Sequence, residues 1–193
     1  GVVGAAIITG EANGRVWLKR GAGKGDDKPW KMHDLYYPDE EETKSMRAHN
    51  QQMDKGYKYS LSRYEGSPVA NDDELWQRVL ENDRSNFLQY ASCEKKGGAG
   101  GREGKGEQGI VTNHQYTLLS AIETKTTDGQ TLRLVQLRNP RGNEKEWTGE
   151  FSDKDKRSWD RMPADEKAKY NIVVENFSDD GVFWMPWNKF CAI

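Results

Sequence analysis

His114 and Asn139 are the residues of this chain whose types and order could do chemistry. His114 opens one predicted strand, HQYTLLSAIE, and Asn139 closes the next, LRLVQLRN. A Cys–His–Asn triad uses its last two members in that order, the imidazole to move protons and the amide to orient it. Two adjacent strands would bring the side chains together. Taken alone, a single His or Asn is far more often structural, so the missing partner matters. The nucleophilic Cys should come well before both. Cys93 has the right order, but it ends an apolar predicted strand and is separated from His114 mostly by a Gly-rich loop. A reactive thiolate sits instead at a helix N-terminus, where the dipole lowers its pKa. Cys93 therefore reads as a buried structural thiol, and Cys191, near the end of the chain, fits less well still. The sequence holds the second half of an active site without the first.

Composition narrows the class. Lys+Arg of 29 against Asp+Glu of 31 gives a net charge of −2 over 193 residues, without the basic excess of a nucleic-acid binder. A mean hydropathy of −1.00 leaves polar segments unburied, while seven Trp and eight Tyr supply a large-residue core. Two Cys are too few for a secreted disulfide scaffold and point to a reducing, cytoplasmic setting. No apolar run reaches the ~20 residues of a membrane span. The opening GVVGAAIITG lacks a basic flank, so it reads as a strand rather than a signal peptide, and its abrupt apolar start suggests a piece of a longer chain.

The elements follow from periodicity and turn chemistry. Val2 to Thr9, Arg15 to Lys19 and Tyr57 to Leu61 are predicted strands. Gly21 to Pro29 is a predicted loop, and Pro38 to His49 a charged helix. Asp72 to Leu80 is the clearest helix, capped by Asn71 or Asp72, with Leu75, Trp76, Val79 and Leu80 on one face. Phe87 to Cys93 is predicted as a buried strand and Glu94 to Gly109 as a flexible loop. Ile110 to Ile122 and Leu132 to Leu137 follow as strands around a turn at Asp128–Gly129. Lys154 to Ile172 reads as a turn and a helix with Pro163 near its start. A turn at Asp180–Gly181 leads into a last strand, VFWMPW. Trp147, Trp159, Trp184 and Trp187 are assigned to the core. The expected class is α+β: a mainly antiparallel, barrel- or sandwich-like sheet with a few flanking helices. GRVWLKRGAGKGDDK lacks a phosphate-loop pattern, and the spacing of His33 and His49 matches no metal arrangement.

Taken in series, LWQRVL, the strand ending ASC, HQYTLLSAIE, LRLVQLRNPRGNEKEWTGEFSD and DDGVFWMPWNKF resemble the second protease-core subdomain of the calpain family of papain-like cysteine peptidases. The flavour is that of divergent protozoan calpain-like proteins. The match covers residues 72–193. Residues 1–71 are expected to elaborate the same domain, with an insert at about 21–50 that has no counterpart. The resemblance implies that His114 is the proton-carrying His and Asn139 the orienting Asn of a cysteine endopeptidase. It also implies Ca²⁺ held by Glu146, Asp153 and Asp180 and aligning two lobes. The alternative for these acids is ordinary solvated turns.

The chain departs from the family at several positions. Arg141 replaces a Trp that covers the His–Asn pair; a cation there would wet the site and lower the pKa of a nearby His. Asn113 and Gln115 replace Gly and Ala beside the His and narrow the cleft. Val182 replaces a second acid of the calcium turn, which Asp179 could partly supply. No QxGxCW-like nucleophile segment occurs, so the chain alone is expected to be inactive. Two functions follow as expectations. One is the His/Asn half of a calpain-like core that cleaves protein or peptide substrates with a Cys-bearing lobe of the full-length chain. The other is an inactive homologue acting as an interaction or regulatory module, for example by adding a peptide strand to a sheet edge.

Overall fold

The computed structural model describes residues 14–18, 31–36, 60–65, 71–93, 103–142 and 146–193, the first three segments as backbone. The chain divides into two compact units, Gly1–Leu75 and Trp76–Ile193. In the first, strands β1 (Gly14–Leu18), β2 (Lys31–Tyr36) and β3 (Ser60–Glu65) form an antiparallel sheet in that order. The strand expected from Arg15 is β1. The one expected at Tyr57 to Leu61 meets β3 at Ser60 and Leu61, its earlier residues lying outside the described ones. Strand β2 carries His33 and was not legible, because KMHDLY mixes charge into both faces. The strand expected at Val2 to Thr9, the loop at Gly21 to Pro29, the helix at Pro38 to His49 and His49 itself lie outside the described residues.

Helix α1 (Asp72–Arg84) starts where Asn71 Oδ1 accepts the Glu74 N–H at 2.9 Å. Asp72, Asp73 and Glu74 in its first turn and Arg84 in its last complement the helix dipole. Its buried stripe is Leu75, Trp76, Val79 and Leu80, the face that the spacing predicts.

The second unit is built on an antiparallel sheet of β4 (Gln89–Cys93), β7 (His114–Lys125), β8 (Thr131–Arg138) and β9 (Val182–Pro186), in that order. The α+β class and antiparallel pairing are as expected, but the sheet is open rather than closed into a barrel. Four strands with the usual twist cannot close around a filled interior. Gly129 takes φ 82° in the β7–β8 turn, a conformation only glycine adopts without strain.

A bulge in β7 between Leu118 and Ser120 shifts its alternation by one residue. Leu118 pairs with Leu137, and Leu137 with Phe183, whose ring meets Tyr116 edge-on at 5.9 Å. This face is covered by α1 and by α4 (Trp187–Ala192), with Trp76 against Trp187 at 5.1 Å. Trp76 Nε1 also donates to Glu123 Oε2 at 2.9 Å. The opposite face buries Ile122, Leu132, Leu134 and Trp184 against Phe151, Trp159, Met162 and Ile172. Two short helices frame that core, α2 (Lys156–Trp159), capped by Asp155, and α3 (Ala164–Lys169), preceded by Pro163. Trp147, Trp159, Trp184 and Trp187 are all buried, as expected.

Two expectations fail in their local detail. Phe87 and Leu88 are 65% and 50% exposed rather than part of a buried strand. Asn86, at φ 57°, turns the chain out of α1, and the edge strand begins only at Gln89. Of the loop expected from Glu94 to Gly109, residues 103–109 are built into structure. Strand β5 (Gly104–Lys105) pairs with β6 (Val111–Thr112), and Gly106 N donates to Ile110 O at 2.7 Å. Glycine serves close packing here: a Cβ on Gly109 would lie 1.9 Å from Glu146 O.

Candidate active site

Backbone geometry brings His114 and Asn139 to one end of the sheet. Asn113, at φ 54°, ends β6 and lets His114 start β7 in a new direction. Asn139 directly follows β8, whose last residue, Arg138, pairs with Thr117. The Asn139 N–H donates to Gly181 O at 2.7 Å, which ties it to the turn before β9.

The two side chains meet. His114 Nε2 lies 2.8 Å from Asn139 Oδ1. The Arg141 N–H donates to the same oxygen at 3.0 Å, so two donors converge on it and fix the amide. An amide oxygen only accepts, so the proton of this contact sits on Nε2. His114 is 9% exposed and Asn139 2%, and water has little access to the bond. Tyr116 and the imidazole pack at right angles with ring centres 5.0 Å apart, and the Tyr116 hydroxyl accepts from Val111 N at 2.8 Å.

On its other side the imidazole meets Glu103, whose Oε1 is 3.1 Å from Nδ1. Glu103 Oε2 pairs with Arg141 Nη1 at 2.6 Å. The two ring nitrogens thus face an amide oxygen on one side and a carboxylate oxygen on the other. The Arg141 guanidinium, expected to press its charge on the His, is directed instead at Glu103. Glu103 was missed by sequence reasoning, because in GREGKGEQG nothing distinguishes it from a solvated acid.

The thiols lie elsewhere. Cys93 ends β4, with its Cα paired to that of His114, so it sits on a strand and not at a helix N-terminus. Cys191 is half-buried in α4.

Glu146, Asp153 and Asp180 gather on the far side of Gly181. Glu146 Oε1 accepts the Gly181 N–H at 2.6 Å, and Asp180 Oδ1 accepts the Val182 N–H at 2.9 Å. Asp153 Oδ1 is buried with no hydrogen-bond partner. Burial, and then the charges of Glu146, Asp180 and Asp179, push the Asp153 carboxyl up to about 7. Burial foremost, with Asp179 and Asp180 adding to it, also raises Glu146. These acids repel one another across a small space. Among the described residues, however, no three His, Cys, Asp or Glu converge closely enough to hold a metal as they stand.

Gly181 links the two groups: its N–H meets Glu146 and its carbonyl meets Asn139. It has φ 89°, and a Cβ there would lie 2.9 Å from Asn139 O. Gly181→Ala is therefore expected to destabilise the second unit by about 1–3 kcal/mol through strain alone. Chemical denaturation, with the His114 ring signals followed by NMR, checks this. Unchanged stability and unchanged ring signals would contradict the assigned turn.

A sequence model of the calpain family of cysteine proteases matches residues 41–193. Over 120 residues the chain is 37% identical to the calpain-type cysteine protease DEK1 of Arabidopsis thaliana, covering 60% of this chain and 5% of that protein. It is 39% identical over 98 residues to calpain clp-4 of Caenorhabditis elegans, covering 51% and 13% of the two chains. Against mouse (Mus musculus) calpain-5 it is 31% identical over 129 residues, covering 63% and 19%. The chain thus spans a small part of the length of each of these relatives.

Proposed function

The chain belongs to the calpain family of cysteine proteases, and we propose that residues 72–193 are the His/Asn-bearing subdomain of a calpain-type endopeptidase core. Residues 1–71, with an insert at about 21–50, elaborate it. A Cys-bearing lobe elsewhere in the full-length protein completes the site, and the substrates are proteins or peptides. The supporting observation is the shielded 2.8 Å contact of His114 Nε2 with Asn139 Oδ1. It engages Nε2, so that Nδ1, on which Glu103 sits in this structure, is the nitrogen a thiol would use.

In this reading His114 Nδ1 takes the thiol proton, and the thiolate sulfur attacks the peptide carbonyl carbon. The imidazolium then gives its proton to the departing amine as the C–N bond breaks, leaving a thioester. The reverse roles admit water and release the acid. Asn139 holds the ring in one tautomer throughout. A reducing, cytoplasmic setting would suit a free thiol, and no helix among the described residues is long and apolar enough to cross a membrane.

Incubating the full-length protein with a fluorogenic peptide tests the proposal. Cleavage that a thiol alkylator abolishes is expected. Cleavage that survives alkylation, or none at all, would overturn it. In the latter case an interaction module becomes the better reading.

Calcium is proposed at Glu146, Asp153 and Asp180, with Asp179 nearby. The donor chemistry fits a hard cation: all donors are oxygens, one is buried and unpartnered, and a dication would offset the burial and the repulsion that together raise Asp153 and Glu146. When bound it would supply positive charge beside Gly181.

Without calcium the same carboxyl makes stability fall with pH. The folded chain holds the Asp153 proton up to about 7, above the ordinary value of 3.8, so folding binds an extra proton between those limits. Stability is therefore greatest below that window and drops as pH rises through it, by about 1–2 kcal/mol once solvent screening of a half-exposed group is allowed for. Asp153→Asn is expected to flatten the slope. Urea midpoints at pH 5 and pH 8 in chelator decide it, and an equal slope in both proteins would count against the assignment. Calorimetric titration at pH 7.5 should show saturable Ca²⁺ binding that Asp153→Ala removes.

A further inference from the structure

His114 Nδ1, the atom that faces a thiol in the proposed reaction, already has an anionic partner. Glu103 Oε1 sits on it at 3.1 Å, and Arg141 Nη1 holds the other carboxylate oxygen at 2.6 Å. We propose that Glu103, held by Arg141, occupies the seat on His114 that a thiolate would take, so that the site rests in a clamped state which the thiol must displace. This rests on the reading of His114 as the proton carrier of a peptidase.

Three features support the clamp. The first is chemical equivalence. A carboxylate and a thiolate are both anions that accept from a protonated Nδ1, and only one can stand at hydrogen-bond distance from it. The second is placement. Glu103 immediately precedes β5, and the β5–β6 ladder pairs Gly104 with Thr112, two residues from His114. The glutamate backbone is thus fixed beside the imidazole by strand pairing. The third is the double role of Arg141. Its backbone N–H donates to the Asn139 oxygen that binds Nε2, and its guanidinium binds the carboxylate on Nδ1. One residue braces the ring from both ends, which gives a structural reason for a cation at this position.

The clamp is also releasable. The Glu103 side chain is 28% exposed and that of Arg141 65%. An ion pair at such a rim is worth a few-fold in an equilibrium and not orders of magnitude. Rotation of the Glu103 side chain alone would free Nδ1, with no movement of the sheet. Asn139 and Tyr116 hold the ring on other sides, and Glu103, with Arg141 behind it, is the charged pair that meets Nδ1.

Nitrogen NMR of His114 in this chain reads the clamp directly, with Glu103→Gln and Arg141→Ala as the variants. Loss of the Nδ1 proton signal at neutral pH in Glu103→Gln, with a smaller change in Arg141→Ala, is expected. Ring-nitrogen signals identical to the unsubstituted chain would overturn the clamp. The second arm is peptide hydrolysis by the full-length protein, where Glu103→Gln should raise kcat/KM by about 3- to 10-fold. A fall instead would make Glu103 a positioning residue and overturn the inhibitory role. An NMR response with no hydrolysis in any variant would support the clamp and remove the peptidase reading on which it was built.

Discussion

In the full-length protein, His114→Ala is expected to lower peptide kcat/KM by roughly 10⁴-fold, with much the smaller loss for Asn139→Ala. The difference follows from what each side chain does. Without the imidazole no group is placed to take the thiol proton or to return one to the amine, and general acid–base catalysis together with nucleophile activation is lost. Without the Asn139 amide the imidazole stays but is free to rotate, and the Arg141 N–H loses its 3.0 Å acceptor. About 10- to 100-fold is expected for that loss of orientation, seen mainly in kcat. Asn139→Ala also leaves a buried cavity, so its unfolding midpoint must be measured alongside. Equal losses for the two substitutions with intact folds would show that Asn139 does more than orient. A His114→Ala protein that still cleaved at the original rate would remove His114 from the chemistry.

The largest expected effect on stability belongs to Trp159→Ala. Trp159 is 1% exposed and is the centre of an aromatic cluster. Phe151 and Phe177 meet it at 5.2 Å each, and Trp184 at 6.4 Å. Its Nε1 donates to Ser152 O at 3.0 Å, which holds the segment after Phe151 onto the sheet. Truncation removes the transfer energy of a large ring, leaves a cavity that the rigid sheet cannot fill, and leaves the buried Ser152 carbonyl with only the Asp155 N–H. A cost of about 3–5 kcal/mol is expected, or roughly 10 °C in Tm. Trp159→Phe keeps most of the packing and loses the hydrogen bond, for about 1–2 kcal/mol. Thermal unfolding of both variants separates the two contributions. A Trp159→Ala midpoint within 2–3 °C of the parent would mean that the cluster is not the core of this unit.

Much of this was legible along the chain because it is local. The α1 stripe of Leu75, Trp76, Val79 and Leu80 repeats at helical spacing, and Asn71 carries its cap in its own side chain. The Asp128–Gly129 turn between the runs HQYTLLSAIE and LRLVQL specifies a hairpin. Once two strands pair, a His that opens the first and an Asn that closes the second must approach each other. The family likeness was carried by the same runs. Elements whose signals are mixed were lost: β2 hides its period under charge, and Phe87 and Leu88 look like core while facing solvent.

What the sequence by itself determined was the hairpin of β7 and β8, the two residues that meet as the His–Asn pair, and the Trp core. Each of these is a property of residue type and spacing. Only the tertiary structure decided that the sheet stays open, that a bulge beyond Leu118 shifts the alternation of β7, and that Glu103 and Arg141 close over Nδ1. Those outcomes depend on distances between residues far apart in the chain. A glutamate in a run of glycines has no periodicity to reveal its partner, and its meaning appears only when β5 and β6 pair and bring it beside His114.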